Sequence, residues 1–579
     1  MDAGKTIFSN LFTYGRKLEV PFYQRAYVWE KEQWERLLED LEFISQIGKP
    51  YFIGSIILKK AKLQTWETYA TDKKTVVDGQ QRLTTMLIFL KAFWLKNGET
   101  EKFDKRFRLE DGSLALELGV SDYNAFKTVM EHETTELIDP QSSTSNVIPA
   151  FNYFLKEIDI NKIQISAILQ NLQLVCIDLD EYDEEQQVFD TINSLGVRLT
   201  TAELLKNYFY AREDYESYQK NWESIFEKDD ETRTYWNQEF DVGRAKRALI
   251  DIFLDAYFQF FIQNPKYNVS AEDKIAYSRL GHLAQSYQDF IQNYCNKDKS
   301  VVLQSLPEYA VKFRETFDPN CLNRHISKEF GKEHMNVIIF GLKTTTLIPY
   351  VLYVAKNVSD EQERNKIYQI LEAYVMRRMV TKEVTKGYNR LFISLILNEA
   401  LTANKLTEIL VKNKEDKDVS TALPNDEELL KGFQDSKLVN LQTRGIIYFI
   451  ESSLRTGMDA TSLLGFNQYS LEHLMPKKWR NHWPSCASEE LARKRDSRLL
   501  TLGNLAIIPQ ELNASVRDGD WKTKKEGQGE NPGLESCAAG LVTLEQVIKQ
   551  DYWDENKIED RAKWLYEKAR EVWKIPSII

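Results

Sequence analysis

Apolar residues recur with strand and helix periods through the first third of the chain. Five apolar residues of EQWERLLEDLEFI fall on one helical face: Trp34, Leu37, Leu38, Leu41 and Ile44. The short apolar runs YFIGSIIL and KTVV predict buried strands, and the longer run QRLTTMLIFLKAFWL predicts an apolar helix. LQLVCIDLD alternates in polarity, which predicts another strand. Residues 1–212 are therefore expected to mix strands with helices.

Two further helices are predicted at the end of this region. Gly196 ends the first, EEQQVFDTINSLG, because glycine readily adopts the left-handed conformation that follows a helix. Thr200 and Glu203 have the spacing of a capping box, which predicts that ELLKNYFYA begins a second helix there.

The rest of the chain is predicted to be mostly helical. Tyr and Phe recur at three- and four-residue spacing through residues 213–430, and the polar segment 412–428 predicts a surface loop or a boundary. Residues 431–579 open with the helical segment TRGIIYFIESSLR and close with RAKWLYEKAREVW, while 515–533 is predicted to be partly loop. We therefore predict an α+β, predominantly helical protein with three domains, 1–212, 213–430 and 431–579.

Composition indicates a cytoplasmic protein and argues against a membrane protein, a secreted protein and a zinc-bound framework. The apolar content is ordinary for a globular chain, no stretch approaches the length of a membrane span, and the first residues carry no apolar signal-peptide core. The five cysteines show no CxxC spacing, which argues against a zinc framework: Cys176, Cys295, Cys321, Cys486 and Cys537. Scattered cysteines fit a reducing compartment, so a cytoplasmic location without membrane attachment is expected.

The net charge of −11 does not suggest a general nucleic-acid binder, because contacts with phosphate need positive charge. One segment departs from that average and holds seven basic residues: Lys477, Lys478, Arg480, Arg493, Lys494, Arg495 and Arg498. Such a cluster is compatible with a solvated charged face or with a surface that binds DNA.

A candidate hydrolytic site lies in the same part of the sequence. His473 is suited to be a general base, because neutral imidazole is available near pH 7. Glu472 and Asn513 offer hard oxygen ligands for Mg²⁺ or Mn²⁺, and Asn504 can fix the histidine by a side-chain or backbone hydrogen bond. A lone histidine before an apolar run is also compatible with a structural role, and His482 is a rival base.

A second candidate site lies where KTVV meets the following helix. A helix start offers free N–H groups and partial positive charge to a phosphate, Gly79 allows close approach of the backbone, and Arg82 can hold phosphate oxygens. Asp78 can cap the helix or hold a metal ion, while Gln80 and Gln81 can orient water or contact a base or sugar. The same residues are compatible with an ordinary N-cap and a surface arginine.

Four segments occur in an order that resembles a known family: VPFYQRAYVWEKEQWERLLEDL, YFIGSIIL, VVDGQQRLTT and FDTINSLGVRLTTAELLKNYF. Together they resemble the N-terminal domain of the GmrSD family of modification-dependent restriction proteins. That domain is similar to the ParB/sulfiredoxin fold, in which the DGQQR-type motif binds and often hydrolyses a nucleoside triphosphate. The resemblance implies a nucleotide site formed by seven residues: Gln24, Arg25, Asp78, Gly79, Gln80, Gln81 and Arg82.

The third of these motifs contains Asn193, Gly196, Lys206 and Asn207, and its role is open between ligand contact and packing. The family more often has glutamate where this chain has Asp190, and aspartate where it has Glu203.

The C-terminal region resembles the HNH, or His-Me finger, nuclease domain of the same family. LEHLMP and LGNL match the family's HxxP…LGNL pattern, in which the histidine is catalytic, and the implied fold is a ββα-metal unit. HNH proteins usually have aspartate where this chain has Glu472. The expected DNA-binding residues are Lys477, Lys478 and Arg480, with Lys525 matching a late family lysine.

The resemblance implies a nucleotide-regulated, metal-dependent DNA endonuclease that nicks or cuts DNA in bacterial defence against phage. The expected cofactors are Mg²⁺ or Mn²⁺ and a nucleoside triphosphate such as GTP, with NTPase activity. Modified phage DNA and phosphorothioate-marked DNA are both compatible with the family as partners. A homo-oligomeric state is also compatible with it. The alternative is an NTP-driven DNA-binding switch or clamp with an inactive nuclease domain.

Overall fold

The computed structural model describes most of the chain, in two compact units, Met1–Ser224 and Ile225–Ile579. The residues described are 2–12, 15–21, 24–60, 72–140, 143, 145–180, 200–210, 214–243, 245–277, 282–326, 331–415, 421–455, 463–513, 519–538 and 540–574. The domain boundaries expected at 212 and 430 stay predictions.

The first unit contains a six-stranded mixed sheet. Its strands in chain order are β1 (Asp2–Ile7), β2 (Lys17–Glu19), β3 (Tyr51–Lys60), β4 (Lys73–Asp78), β5 (Leu116–Glu117) and β6 (Leu172–Leu179). Their order across the sheet is β1-β6-β3-β4-β2-β5. β1 runs antiparallel to β6 and β3 antiparallel to β4, while the other pairs are parallel. The three strands predicted from YFIGSIIL, KTVV and LQLVCIDLD are confirmed.

The first unit also contains helices in its described part. They are Lys31–Ile47, Gln80–Lys96, Thr100–Phe107, Val120–Glu131, Val147–Glu157, Ile165–Asn171, Thr201–Phe209 and Tyr215–Tyr218. Helix Gln80–Lys96 is buried along almost its whole length, as expected for a helix that is apolar on all sides. The predicted face of helix Lys31–Ile47 is confirmed, since all five of its apolar residues are buried.

The capping box predicted before helix Thr201–Phe209 is also confirmed. Thr200 Oγ1 accepts the N–H of Glu203, whose carboxylate accepts the N–H of Thr200. The helix predicted to end at Gly196 lies outside the described residues.

The second unit is mostly helical, which confirms the predicted class. Its helices are Asp230–Asn237, Leu249–Gln263, Ala271–Tyr277, Leu283–Tyr294, Ser300–Leu303, Leu306–Thr316, Lys332–Asn336, Ile348–Asn357, Glu361–Val380, Tyr388–Leu397, Ala403–Glu415, Asp426–Asp435, Asn440–Leu454, Glu489–Arg498, Gln510–Asn513, Trp521–Glu526, Glu535–Ala538, Val542–Ile548 and Glu555–Val572. A π-helix spans Val337–Gly341, and another, Gln219–Glu227, crosses the division between the units.

Three two-stranded sheets interrupt these helices. Their strands are β7 (Glu239–Val242) with β8 (Ala245–Ala248), β9 (Tyr469–His473) with β10 (Leu505–Pro509), and β11 (Gly527–Gln528) with β12 (Asn531–Pro532). The polar segment 515–533, predicted to be partly loop, therefore contributes a helix and a small hairpin in its described part. β9, β10 and the short helix Gln510–Asn513 occur along the chain in the ββα order expected for the C-terminal region, with helix Glu489–Arg498 between the two strands.

Candidate functional site

His473 is the last residue of β9, in an antiparallel pair with β10. Leu505 lies opposite His473, and Ala506 lies opposite Glu472. Because successive side chains of a strand point to opposite faces, the two neighbours point in different directions: Glu472 is buried, whereas His473 is half-buried. The hairpin thus presents His473 at its end and turns Glu472 inward.

Asn504 joins the two strands from the inside. Its side chain is 0% exposed, and Oδ1 accepts the N–H of Met475 at 2.8 Å and the indole N–H of Trp553 at 3.1 Å. Nδ2 donates to the carbonyls of Met475 and Leu499 at 2.8 and 3.0 Å. The carbonyl of Asn504 also accepts the N–H of Leu474 at 2.9 Å. Asn504 therefore fixes the two residues after His473. Its side-chain amide accepts two hydrogen bonds and donates two, so no donor or acceptor of the amide is left over.

The final long helix supports the same turn. A Cβ on Gly503 would lie 2.1 Å from the carbonyl oxygen of Ile558, so only glycine allows helix Glu555–Val572 to pack this closely. From that helix, buried Arg561 donates to the carbonyls of Gly503 at 3.0 Å and Leu505 at 2.7 Å. The LGNL turn is thus held by backbone-directed hydrogen bonds.

Glu472 is 8% exposed, and Lys524 Nζ donates to its Oε1. The same ammonium donates to the carbonyl oxygen of His473 at 2.5 Å. The sequence analysis does not predict a role for Lys524, the neighbour of the expected DNA-contact residue Lys525. The missed signal is helical spacing: Trp521 and Lys524 are three residues apart and share the buried face of helix Trp521–Glu526.

At the N-terminal site, β4 ends at Asp78 and helix Gln80–Lys96 begins two residues later. Gly79 between them has a φ of 93°, which favours glycine. A Cβ at this position would also come within 3.1 Å of the Ile56 side chain. Backbone conformation and packing therefore explain Gly79 without a ligand.

Three glutamines of the predicted nucleotide site bind the protein backbone. Gln24 Nε2 donates to the carbonyl of Val76 at 2.8 Å, and Gln80 Nε2 donates to that of Arg25 at 3.1 Å. Gln81 donates to the carbonyl of Ala26 at 3.1 Å and accepts the N–H of Val28 at 3.0 Å. These amides hold the segment 24–28 against the start of the helix. The contacts with water, base or sugar expected for Gln80 and Gln81 stay a prediction.

The charged residues of this site are differently placed. Arg82 Nη1 donates to the carbonyl of Ser55 at 2.9 Å, and its Nε would lie 3.0 Å from a Cβ added at Gly54. Arg25 and Asp78 are half-buried, and neither side chain has a hydrogen-bond or ion-pair partner among the described residues. The charged groups best placed to meet a ligand are thus the side chains of Arg25 and Asp78. Arg82 can contribute only the part of its guanidinium that is not bound to Ser55.

A cavity of about 10 Å³ lies behind these groups, bordered by Gln24, Gln81 and Asp122. It holds about one water molecule and is too small for a nucleotide. Asp122 accepts the N–H of Tyr27 at 2.7 Å and the hydroxyl of Ser145 at 2.5 Å, and burial raises the pKa of Asp122. The expected nucleotide does not fit inside this cavity, and its binding stays a prediction.

Both sites fall in regions that match known domains. Residues 8–210 match the N-terminal domain of GmrSD restriction endonucleases, and residues 423–568 match their C-terminal domain. The chain belongs to the GmrSD restriction endonuclease family. DNA is the substrate that this family implies. No curated protein matches the chain.

Within this GmrSD chain, none of the described helices combines the length and apolar character needed to cross a membrane. Of the third N-terminal motif, Asn193 and Gly196 lie outside the described residues. Lys206 is buried, and Asn207 Oδ1 is buried without a hydrogen-bond partner in the described part of the chain.

The basic segment of the GmrSD C-terminal domain separates into paired and exposed residues. Arg480 makes two hydrogen bonds with Asp496, at 3.0 and 2.6 Å, and lies over the Trp479 ring. Arg480 is therefore a poorer candidate for DNA contact than expected. Lys477 and Lys478 are exposed, with no ion-pair partner among the described residues.

Other cations of the segment are paired within the fold. Arg495 is paired with Glu555 at 2.9 Å, and Arg498 with Asp435 at 2.6 Å. Lys525 Nζ donates to the carbonyl of Gln550 at 3.3 Å and lies 3.8 Å from Glu535. The expected contact of Lys477, Lys478, Arg480 and Lys525 with DNA stays a prediction.

Of the two proposed metal ligands, Glu472 has its side chain in the described part of the chain. No group of three His, Cys, Asp or Glu side chains there could hold a metal ion. Glu472 is turned inward onto Lys524, and its expected role as a metal ligand stays a prediction. Asn513 ends helix Gln510–Asn513 as expected, but its side chain lies outside the described atoms. The described residues therefore do not fit a divalent cation at Glu472.

His482, the rival base, is exposed and follows the short 3₁₀ helix Trp479–Asn481.

Proposed function

We propose that this GmrSD protein is a nucleotide-regulated DNA endonuclease that acts in bacterial defence against phage, with His473 as its general base. The observation that supports this proposal most strongly is the hairpin that presents His473 at a strand end while Asn504 locks the two residues behind it. A base held by a rigid element is already oriented before DNA binds.

In the proposed reaction, the His473 imidazole takes a proton from water while the water oxygen bonds to phosphorus. The phosphorus–oxygen bond to the leaving nucleoside breaks, and solvent protonates that oxygen. Asn504 does not touch the reacting atoms and acts as a positioning residue. Lys477 and Lys478, four and five residues after His473, supply the positive charge that holds the DNA backbone.

We also propose that cleavage requires Mg²⁺ or Mn²⁺. The support for this requirement is the family membership rather than the described donor atoms. A divalent cation would stabilise negative charge on the phosphate and leaving oxygen. Chelation is therefore expected to abolish cutting, and added Mn²⁺ to restore it.

We propose that the N-terminal domain controls the nuclease by binding GTP or another nucleoside triphosphate beside β4, and that it hydrolyses this triphosphate. Arg25, Arg82 and the free N–H groups at the start of helix Gln80–Lys96 are the groups that suit phosphate oxygens. Asp78, half-buried at the strand end, suits a cation that accompanies the phosphates.

The decisive experiment is a cleavage assay with Mg²⁺ or Mn²⁺, with and without GTP. It compares unmodified DNA with DNA from phages that carry modified bases. His473→Ala is expected to lower the rate by roughly 10²-fold or more. His482→Ala, on the same segment, is the matched variant and should still cut. A His473→Ala protein that cuts DNA at the wild-type rate would contradict the proposal.

The second candidate is an NTP-driven DNA-binding switch with an inactive nuclease domain. The pairing of Glu472 with Lys524 favours it, because an expected metal ligand is already engaged. Nucleotide-dependent DNA binding without cutting, under every metal and DNA condition, would establish this alternative.

A further inference from the structure

Lys524 places a positive charge inside the nuclease hairpin. Its side chain is 2% exposed, and its Nζ donates both to the Glu472 carboxylate and to the His473 carbonyl oxygen. Both acceptors belong to the last two residues of β9. One ammonium group therefore links two groups of the site. They are the Glu472 carboxylate, which was expected to bind metal, and the backbone carbonyl of His473, the proposed base.

The fold fixes the helix that carries this ammonium. Asp520 caps helix Trp521–Glu526 by accepting the N–H of Thr523 at 2.8 Å. The Trp521 ring stacks on Trp553 with centroids 5.4 Å apart, and Trp553 donates in turn to Asn504. Lys524 and Asn504 thus belong to one packed assembly around the end of β9.

We propose that Lys524 is the resident cation of this site. It neutralises Glu472, which is therefore not a ligand of a divalent ion, and it positions the strand end that carries His473. Lys524 is a positioning residue in this proposal, which rests on the endonuclease function proposed above.

The physical reason is the cost of an unpaired buried charge. A carboxylate withdrawn from water needs a partner, and Lys524 supplies one with two directed hydrogen bonds. A divalent ion on the same carboxylate would lie close to the ammonium, and the two cations would repel each other. The buried position of Lys524 also prevents it from reaching a DNA phosphate, unlike the half-buried Lys525.

The first test measures metal binding without DNA. Mn²⁺ affinity of the full chain is compared between wild type and Glu472→Gln by electron paramagnetic resonance of the free ion. If Glu472 is not a ligand, the dissociation constant changes by less than about twofold. A weakening of roughly tenfold or more, typical of damage to a metal site, would overturn the proposal.

The second test separates positioning from DNA contact. Lys524→Met is expected to lower kcat by about tenfold or more while KM for DNA stays within about twofold, and Lys524→Arg should recover part of the loss. Lys522→Met changes an exposed lysine of the same helix and should leave kcat within about twofold. An unchanged kcat in Lys524→Met, or a raised KM alone, would contradict the proposal.

A third measurement addresses folding and needs no cleavage. Thermal unfolding midpoints are compared for Glu472→Gln, Lys524→Met and the double variant. Removing one member of a buried pair leaves the other uncompensated, so the double variant should unfold at a higher temperature than Lys524→Met. Additive losses would show that the two residues are not coupled. This comparison of unfolding midpoints tests the coupling of Glu472 and Lys524 even if the wild-type chain cuts no DNA. Absence of cutting would contradict the proposed endonuclease function but not this coupling.

Discussion

The two candidate sites both lie at the end of a β-strand but use their polar residues differently. At the N-terminal site, glutamine amides bind the backbone, while Arg25 and Asp78 have no partner among the described residues. At the C-terminal site, Glu472 and Asn504 are both buried and hydrogen-bonded. Charge is left available at the first site and is neutralised inside the second.

This difference suggests different tasks. Unpaired charge at a helix start suits a ligand that arrives and leaves, such as a triphosphate. A fully satisfied polar network rigidifies its surroundings, which suits a base that must be held in one orientation. We therefore expect substitutions at the C-terminal site to affect folding most, and those at the N-terminal charges to affect binding most.

The largest effect is expected for Asn504→Ala. The substitution leaves the N–H of Met475, the indole of Trp553 and two carbonyls without their partner, so the free energy of unfolding should fall by about 4 kcal/mol. Urea unfolding of the full chain measures this loss. Asn481→Ala, at an exposed asparagine of the same region, should stay within about 0.5 kcal/mol. Equal losses in both variants would contradict the structural role assigned to the Asn504 side chain.

Arg25→Ala should weaken nucleotide binding by about 10- to 100-fold, the value of a charged hydrogen bond to phosphate. Gln80→Ala should weaken it by less than about threefold, because the Gln80 amide binds the Arg25 carbonyl instead of the ligand. Isothermal titration with GTP compares the two. If Gln80→Ala loses as much affinity as Arg25→Ala, the glutamine contacts the nucleotide after all.

Gly79→Ala should lower the free energy of unfolding by about 1–2 kcal/mol, because alanine is strained at its φ of 93°. Added contact with Ile56 acts in the same direction. Gly4→Ala is the matched control, since a Cβ there meets nothing within 4 Å. Thermal unfolding of both variants measures the two losses. An unchanged stability in Gly79→Ala would contradict the explanation by backbone conformation and packing, and would favour the expected role of Gly79 in close approach to a ligand.

The smallest effect concerns pH. Burial raises the pKa of Asp122 in the folded state, so its favourable contribution is present below the unfolded pKa and is lost as pH rises through the folded pKa. Wild-type stability should fall relative to Asp122→Asn as pH rises above about 4, by at most about 1.4 kcal/mol per pH unit. Urea unfolding across pH measures the difference.

Asp111 provides the opposite sign as a control. Hydrogen bonds from Ser113 lower the pKa of Asp111, so its contribution is present above the unfolded pKa and is lost as pH falls. Asp111→Asn and Asp122→Asn should therefore change the pH dependence in opposite directions, and a shared direction would contradict the burial argument.

Local patterns predicted the elements well because their causes are local. The apolar face of helix Lys31–Ile47 and the capping box of Thr200 and Glu203 depend on residues within one or a few turns. The position of His473 at the end of a strand before Asn504 followed from the family resemblance, and the structure places it there.

The pairings could not be predicted in the same way. Glu472 and Lys524 meet across 52 positions of sequence, and nothing in the local pattern chooses Lys524 over its neighbour except the phase of a six-residue helix. Glutamine amides can bind either a ligand or a backbone, so the composition of the DGQQR segment left their partners open.

The contact of Arg561 and Ile558 with the LGNL turn has a consequence for the order of synthesis. The ribosome releases β9 and β10 about fifty residues before the helix that completes their support. A nascent or prematurely terminated chain therefore lacks the finished nuclease hairpin. The hairpin that carries His473 is in this way left without its support until helix Glu555–Val572 has been made.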